Sequence, residues 1–433
     1  MTDDGEGGLL AAVEDLDAHR AAGGGVAVER ARTVGPEATI AEIRAAGLRG
    51  RGGAGFPTAI KWSGVRGESG ERYVVCNGAE GEPGTFKDRA ILRANPYQVI
   101  DGVVIAALAV GASAAYVAVK AAFRPEIDRL ETALAEMADA GMTGDLPIAV
   151  VTGPDDYLFG EEKALLEVVA GRDPKPTLYP PYVSGLFGTP TSPNPTVVNN
   201  VETLAHVPSI LREGAEWFRS RGTEDSPGTM VFTVSGDVRR ERVVELGLGT
   251  PLSWLVYGVG EGLEAGRRPK AILSGVSNAP LTAADLDTPL EFGALQRAGA
   301  GLGSGGFIVY DDTTCLLEAG AVLGGFLAAE SCGQCPPCSL GTAALAERFD
   351  VLHEGAGDTG TVEELAAWTQ RVTDANRCGL GAAGRDLAAG IVERFWDDVA
   401  GHLDGSCPGH RGLTVPKLVD HDGDRFTRSE AAG

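Results

Sequence analysis

Among the residues able to do chemistry, a group of cysteines stands out by its spacing. The stretch Glu330-Ser-Cys332-Gly-Gln-Cys335-Pro-Pro-Cys338 is a Cys-x2-Cys-x2-Cys run, and Cys378 follows further along the chain. Such a run wraps three thiolates around one face of an iron–sulfur cubane, and a distant cysteine closes the fourth corner. Zinc sites more often use two separated Cys-x2-Cys pairs, so this spacing favours iron and sulfide. Pro336 and Pro337 keep a flanking helix from running through the loop, and Gly333 lets backbone N–H groups face sulfur. A [4Fe–4S] cluster on Cys332, Cys335, Cys338 and Cys378 is expected. Cys76, Cys315 and Cys407 stand apart and read as buried or idle thiols.

A second stretch points to an anion. Gly47-Leu-Arg-Gly50-Arg51-Gly52-Gly53-Ala-Gly55-Phe56-Pro-Thr58, followed by Lys61-Trp62, carries five glycines within residues 47–55 and two arginines. Without a Cβ the main chain can approach a phosphate closely and offer it N–H groups. The pattern is neither the phosphate loop ending in Gly-Lys-Ser/Thr nor the dinucleotide Gly-x-Gly-x-x-Gly. A flexible, solvent-filled loop is the alternative. Beside a one-electron cluster, a phosphate-bearing cofactor implies electron transfer. A flavin is the usual converter between hydride chemistry and one-electron carriers.

Elements must hold these stretches in place. Strand-like runs at 73–77, 114–119 and 146–152 alternate with helical runs at 96–110, 125–138 and 161–169. Strands separated by such helices pair in parallel through right-handed crossovers, giving an α/β domain over residues 36–215. Ligands sit at the carboxyl ends of such strands. The loops 77–89 and 157–162 therefore matter most, and the two acids opening the helix at 161 also suit plain capping. At 195–203, adjacent amides suit a heterocycle or a structural turn. Residues 1–35 read as a loosely attached N-terminal segment. Short strands at about 230–235, 242–246, 271–274 and 307–310, with a helix at 251–257, fit a small α+β module over 225–310. Helical patterns at 316–329, 343–352, 362–373 and 384–403 fit a four-helix bundle over 314–405, its third helix opened by a capping box, Thr361-x-x-Glu364. The tail, 406–433, reads as irregular.

Bulk properties narrow the field. A net charge of −23 argues against nucleic acid or an anionic membrane as partner. No apolar run is long enough to span a bilayer and the acidic start lacks a secretory pattern, so a cytoplasmic location is the default, with any membrane contact made through partners.

The motifs Gly-Leu-Arg-Gly-Arg-Gly-Gly-Ala-Gly-Phe-Pro-Thr, Asn-x-x-Glu-x-Glu-Pro-Gly-x-Phe-Lys-Asp-Arg, Gly-Glu-Glu, Val-Asn-Asn-Val-Glu-Thr and Glu-Ser-Cys-Gly-Gln-Cys-x-Pro-Cys occur in that order between about residues 36 and 400. The set closely resembles the NADH-oxidising flavoprotein subunit of respiratory complex I, a family shared with diaphorase subunits of soluble hydrogenases and formate dehydrogenases. The resemblance implies a Rossmann-like FMN-binding domain, a small ubiquitin-like (SLBB) module and a C-terminal helical bundle holding the cluster. It implies that Gly50, Arg51, Gly52, Gly53 and Lys61 cradle the FMN phosphate. Asn77, Glu80, Tyr157, Gly160, Glu161, Val198, Asn199, Asn200 and Thr203 would line the ribityl chain and ring. Phe56, Glu82 and Glu162 would meet NADH, the two acids orienting it. No acid–base residue is required, because hydride passes directly from nicotinamide to flavin. A [2Fe–2S] partner of thioredoxin-like or ferredoxin type, with further acceptor subunits, is implied.

The sequence also departs from that family. Asn77-Gly-Ala79-Glu80 lacks an acid beside the flavin, Gly64 replaces an aromatic, and Phe159 stands where a cysteine is usual. The segment Asp173-Pro-Lys-Pro-Thr-Leu-Tyr-Pro-Pro-Tyr182 is rearranged, with Lys175 and Tyr179 as stand-ins. Two readings follow. One is an NADH dehydrogenase subunit. The other is an electron relay with flavin and cluster but no nicotinamide, docking a ferredoxin or membrane reductase.

Overall fold

The computed structural model describes residues 8–407 and 409–429. They fall into two compact units, one made of residues up to 81, 86–232 and 243–250, the other of 82–85, 233–242 and residues from 251 onward.

In the first unit, runs rich in Val and Ala form strands, and the inner ones of the sheet are buried on both faces, as parallel pairing favours. The elements are α1 (Leu16–Ala21), α2 (Val26–Ala46), α3 (Thr58–Gly67), β1 (Tyr73–Gly78), α4 (Lys87–Ala94), α5 (Pro96–Val110), β2 (Ala114–Lys120), α6 (Arg124–Asp139), β3 (Ile148–Gly153), α7 (Glu162–Val169), β4 (Thr196–Asn200), α8 (Val201–Glu213) and α9 (Ala215–Arg219). The sheet order is β3-β2-β1-β4, with every pair parallel. Alternate residues of β1 serve opposite faces: Val74 and Cys76 join one apolar core, while Tyr73 and Val75 join another with Phe159 and Leu165. α5 opens on an Asn95 cap, whose side chain accepts from the Gln98 N–H, with Pro96 in its first turn.

Three details differ from the sequence expectations. The N-terminal segment is not loosely held: Leu9, Val13, Ala27 and Val28 are buried in the first core, and α2 carries on through a break at Gly35, before Pro36. Residues 196–200 form a fourth strand instead of a turn, and 87–94 form a helix instead of a loop. Both are short, and their charged or amide residues conceal the pattern.

The second sheet has the order β6-β5-β9-β7-β8, made of β5 (Thr229–Gly236), β6 (Arg242–Gly247), β7 (Pro269–Ser274), β8 (Leu281–Thr282) and β9 (Gly306–Asp311), with α10 (Phe292–Arg297) before β9. β9 lies parallel to β5 and antiparallel to β7. The helical end comprises α11 (Leu316–Ala329), α12 (Pro336–His353), α13 (Thr359–Arg371), α14 (Leu380–Arg394) and α15 (Trp396–Leu403). Where one helix is expected over 384–403, Phe395 leaves helical geometry and divides two. α13 starts earlier than expected: Asp358 is its cap and Thr361 the reciprocal partner, because the carboxylate reaches the Thr361 N–H. The tail is not wholly irregular, since β10 (Leu418–His421) and β11 (Phe426–Arg428) form a hairpin. No described helix is long and apolar enough to cross a membrane.

Candidate functional site

The chain leaves β1 for β2 and β3, then returns on the other side of β1 as β4. Strand order reverses between β1 and β4, and ligands of open parallel sheets bind beyond the carboxyl ends at such a reversal. Asn77 and Asn200 are register partners there. The glycine loop lies against the same place, since a Cβ on Gly52 would stand 3.1 Å from the Asn200 Cβ. The loop is pinned by hydrogen bonds from the Gly50 N–H to the Phe56 carbonyl and from the Thr58 N–H to the Leu48 carbonyl, each 2.9 Å. Gly53 at φ 131° and Gly55 at φ 62° hold turns that side chains resist. Among the described residues the Gly52 and Gly53 N–H groups donate to no protein acceptor, and the buried Thr58 Oγ1 has no partner. A phosphate fits these bare donors.

Lys61 on α3 gives two of its N–H bonds to Glu162 Oε2 (2.9 Å) and the Val198 carbonyl (3.0 Å). Asn77 Nδ2 donates to the Gly160 carbonyl at 2.8 Å, clasping the end of β1 to the turn Tyr157–Gly160. Trp62 Nε1 donates to Asn199 Oδ1 at 2.8 Å, so Asn199 is a brace for α3.

Several expected contacts turn out to hold the site instead of facing it. The Arg51 guanidinium is buried and donates to the carbonyls of Arg49, Pro227 and Thr229, while its own N–H donates to Thr203 Oγ1 at 2.8 Å. Its charge anchors the loop from beneath; burial depresses its pKa to about 10, eased by Glu202. Glu161 caps α7, accepting from the Lys163 and Ala164 N–H groups, and burial raises its pKa against those bonds. Glu80 accepts from the Asp88 N–H and from Arg89 Nε. Phe56 is half exposed. Glu82 belongs to the second unit, where its Oε1 accepts from the Val276 N–H at 2.7 Å.

Beneath the amides lies a charge knot that the sequence reading passed over. Fully buried Lys87 reaches Asp88 Oδ1 (2.7 Å), Glu202 Oε2 (2.9 Å) and Asn200 Oδ1 (3.0 Å), and Asn200 Nδ2 donates to Asp88 Oδ2 at 2.6 Å. Burial works against the Lys87 charge, but Asp88 and Glu202 outweigh it and raise its pKa. Burial pushes Asp88 up to about 6, against the pull of Lys87. The knot sets the Asn200 amide. Its signal was the Phe-Lys-Asp-Arg run, read as loop.

The cluster loop is built in the second unit. Cys335 precedes α12 and Cys338 lies in its first turn. Gly333 takes φ 75°. Sulfur is supplied with donors: Gln334 Nε2 to Cys332 Sγ and the Arg377 N–H to Cys335 Sγ, each 3.4 Å. Arg377 Nη1 also donates to Gln334 Oε1 at 2.7 Å, tying the loop to the Cys378 segment. Among the described residues these cysteines form no group of three within 4.8 Å, the closeness a single metal ion demands. Thiolates in Cys-x2-Cys-x2-Cys order with N–H donors aimed at two of the sulfurs are the donor set of a cubane.

Comparison with known proteins agrees with this geometry. Residues 43–209 match the Nuo51 FMN-binding domain, and residues 321–402 match the NADH-ubiquinone oxidoreductase-F iron-sulfur binding region. The second NADH-quinone oxidoreductase F chain of Rhizobium meliloti is 36% identical over 409 residues, covering 91% of this chain and 96% of that one. The corresponding F chain of Mycobacterium bovis is 38% identical over 423 residues, covering 94% and 93%. A chain of the NAD+-reducing nickel–iron hydrogenase, in its H2-reduced crystal structure, superposes with a TM-score of 0.81 at 34% identity over 88% of this chain. This chain spans 65% of that hydrogenase chain. A glycine loop at a strand-order reversal, four cysteines spaced for a cubane and relatives matched almost end to end lead to one conclusion: the chain belongs to the family of NADH-quinone oxidoreductase F chains, the NADH-oxidising flavoproteins with FMN and a [4Fe–4S] cluster.

Proposed function

We propose that this chain takes hydride from NADH at the β1–β4 reversal and delivers electrons singly, through the cluster loop, to a [2Fe–2S] partner protein in the cytoplasm. When bound, FMN would accept the hydride pair and the cluster would carry one electron at a time. The protein's own work is positional. The Gly52 and Gly53 N–H groups and the remaining Lys61 donor would hold phosphate, with Gly50 and Arg51 shaping the loop beneath. Asn77, Asn200 and the turn at Tyr157 would set the ribityl chain and ring, backed by Val198, Asn199 and Thr203. Glu162, with Phe56, would orient nicotinamide.

The observation that supports this most is the bare glycine loop packed on Asn200 at the strand-order reversal. The names of the relatives mark them as subunits, which supports an assembly of several chains. The test is an anaerobic titration of FMN- and cluster-loaded protein with NADH. Loss of flavin absorbance at stoichiometric NADH is expected. Flavin that neither NADH nor NADPH reduces, but reduced ferredoxin does, would replace this reading with the relay.

A further inference from the structure

Cysteines and histidines outside the cluster loop converge at the other end of the helices. Cys315 precedes α11, His353 ends α12, His402 lies in α15, and Cys407 and His410 lie in the tail. The ligand atoms of Cys315, His402 and Cys407 all lie within 4.8 Å of one another. So do those of His353, His402 and His410, with His402 common to both sets. The two cysteines are not joined in a disulfide.

We propose that this cluster is a second, structural metal site that takes zinc. Cys315, His402 and Cys407 would be three ligands, and the fourth would come from the His353–His410 pair. Thiolate and imidazole donors in a compact four-fold set are the chemistry of structural zinc. Bonds of about 2.0–2.3 Å in a tetrahedron place neighbouring ligand atoms roughly 3.5 Å apart. Cys315 Sγ and His402 Nε2 stand 3.2 Å apart, close to that spacing.

A further observation favours a metal over a packed group of rings. His353 Nδ1 is buried and has no hydrogen-bond partner among the described residues, although the ring centroids of His353 and His410 are 3.8 Å apart.

The ligand order explains what the ion would do. Among the described residues, Cys407 and His410 lie outside any helix or strand, and the other ligands come from helix ends. The same segment is held by Glu318, which accepts from the Arg411 and Leu413 N–H groups, and by Arg411 bonded to Asp237. Zinc would fasten the tail to the entry of α11 and the ends of α12 and α15.

The experiment uses the full chain, purified anaerobically, with metals counted by mass spectrometry. About one zinc per chain is expected beside the cluster iron. C407S and the double variant H353N/H410N should lose it while keeping iron, and C332S should lose iron while keeping zinc. Cobalt(II) in place of zinc should give the thiolate charge-transfer band and strong visible bands of a tetrahedral site, absent in C407S. Trypsin should cut at Arg411 faster in C407S than in the parent. Zinc that follows C332S instead of C407S overturns the proposal, because it would then sit on the cluster cysteines. Protein without zinc that also fails to bind cobalt at Cys407 overturns it too, as does a Cys315–Cys407 disulfide in the anaerobic protein.

Discussion

At the residue scale, the site depends on side chains that never reach a ligand. Glu80, Asp88 and Glu202 bring three buried carboxylates, while Lys87 and Arg89 supply two bonded cations among them. Burial above all, with Glu80 and Glu202 adding repulsion, holds Asp88 above the ordinary carboxylate range. Replacing Lys87 with methionine strands two acids in the interior. A loss of about 3–5 kcal/mol is expected in chemical unfolding. The sign of the pH effect follows from Asp88. Its folded pKa lies above the unfolded value of about 3.9, so between about pH 4 and 6 the native state keeps a proton that the unfolded chain has lost. Its contribution is fully present below that window and falls as pH rises through it. Unfolding of the parent and D88N across pH 4–7 should show the parent's stability, relative to the variant, dropping up to about pH 6 and then levelling. Lys61 acts differently, since it has a donor to spare. K61A should weaken FMN by about ten- to a hundredfold, the worth of one charged hydrogen bond, read by quenching of flavin fluorescence.

At the element scale, close approaches of backbone govern the architecture. A Cβ on Gly102 of α5 would come within 2.1 Å of the Leu204 carbonyl of α8. α8 begins directly after Asn200, so G102A should lower the melting temperature and weaken FMN together, two readouts that a remote core change would separate. In the cluster loop, Q334A removes a donor from Cys332 Sγ, and the midpoint potential in a redox titration should move to more negative values. How much of this was readable depended on the element. β1 and β2 show short apolar runs and α5 and α6 helical spacing, and the Cys-x2-Cys-x2-Cys run announced its cluster. The fourth strand escaped because Thr196–Asn200 ends in two amides whose burial depends on distant partners. The buried N-terminal residues escaped because a short helical pattern followed by Gly23-Gly24-Gly25 reads as loosely attached, while packing into the first core buries them. Arg51 looked like an anion ligand. Only three-dimensional packing could show its guanidinium turned to carbonyls.

At the scale of the whole molecule, flavin-loop residues and cluster cysteines belong to separate compact units. C378S should therefore lose iron while retaining FMN near parental stoichiometry, measured by iron and flavin analysis of the same sample. The chain's charge of −23 further implies that a basic face on the acceptor would speed encounter, and that added salt would slow it. Trp62, sealed from solvent and bonded to Asn199, has an optical consequence. Indole emits where oxidised flavin absorbs, so FMN held at the β1–β4 reversal would quench Trp62, one of five tryptophans in the chain. Its glow should dim as FMN enters and brighten on its departure, letting occupancy be followed without dye or label.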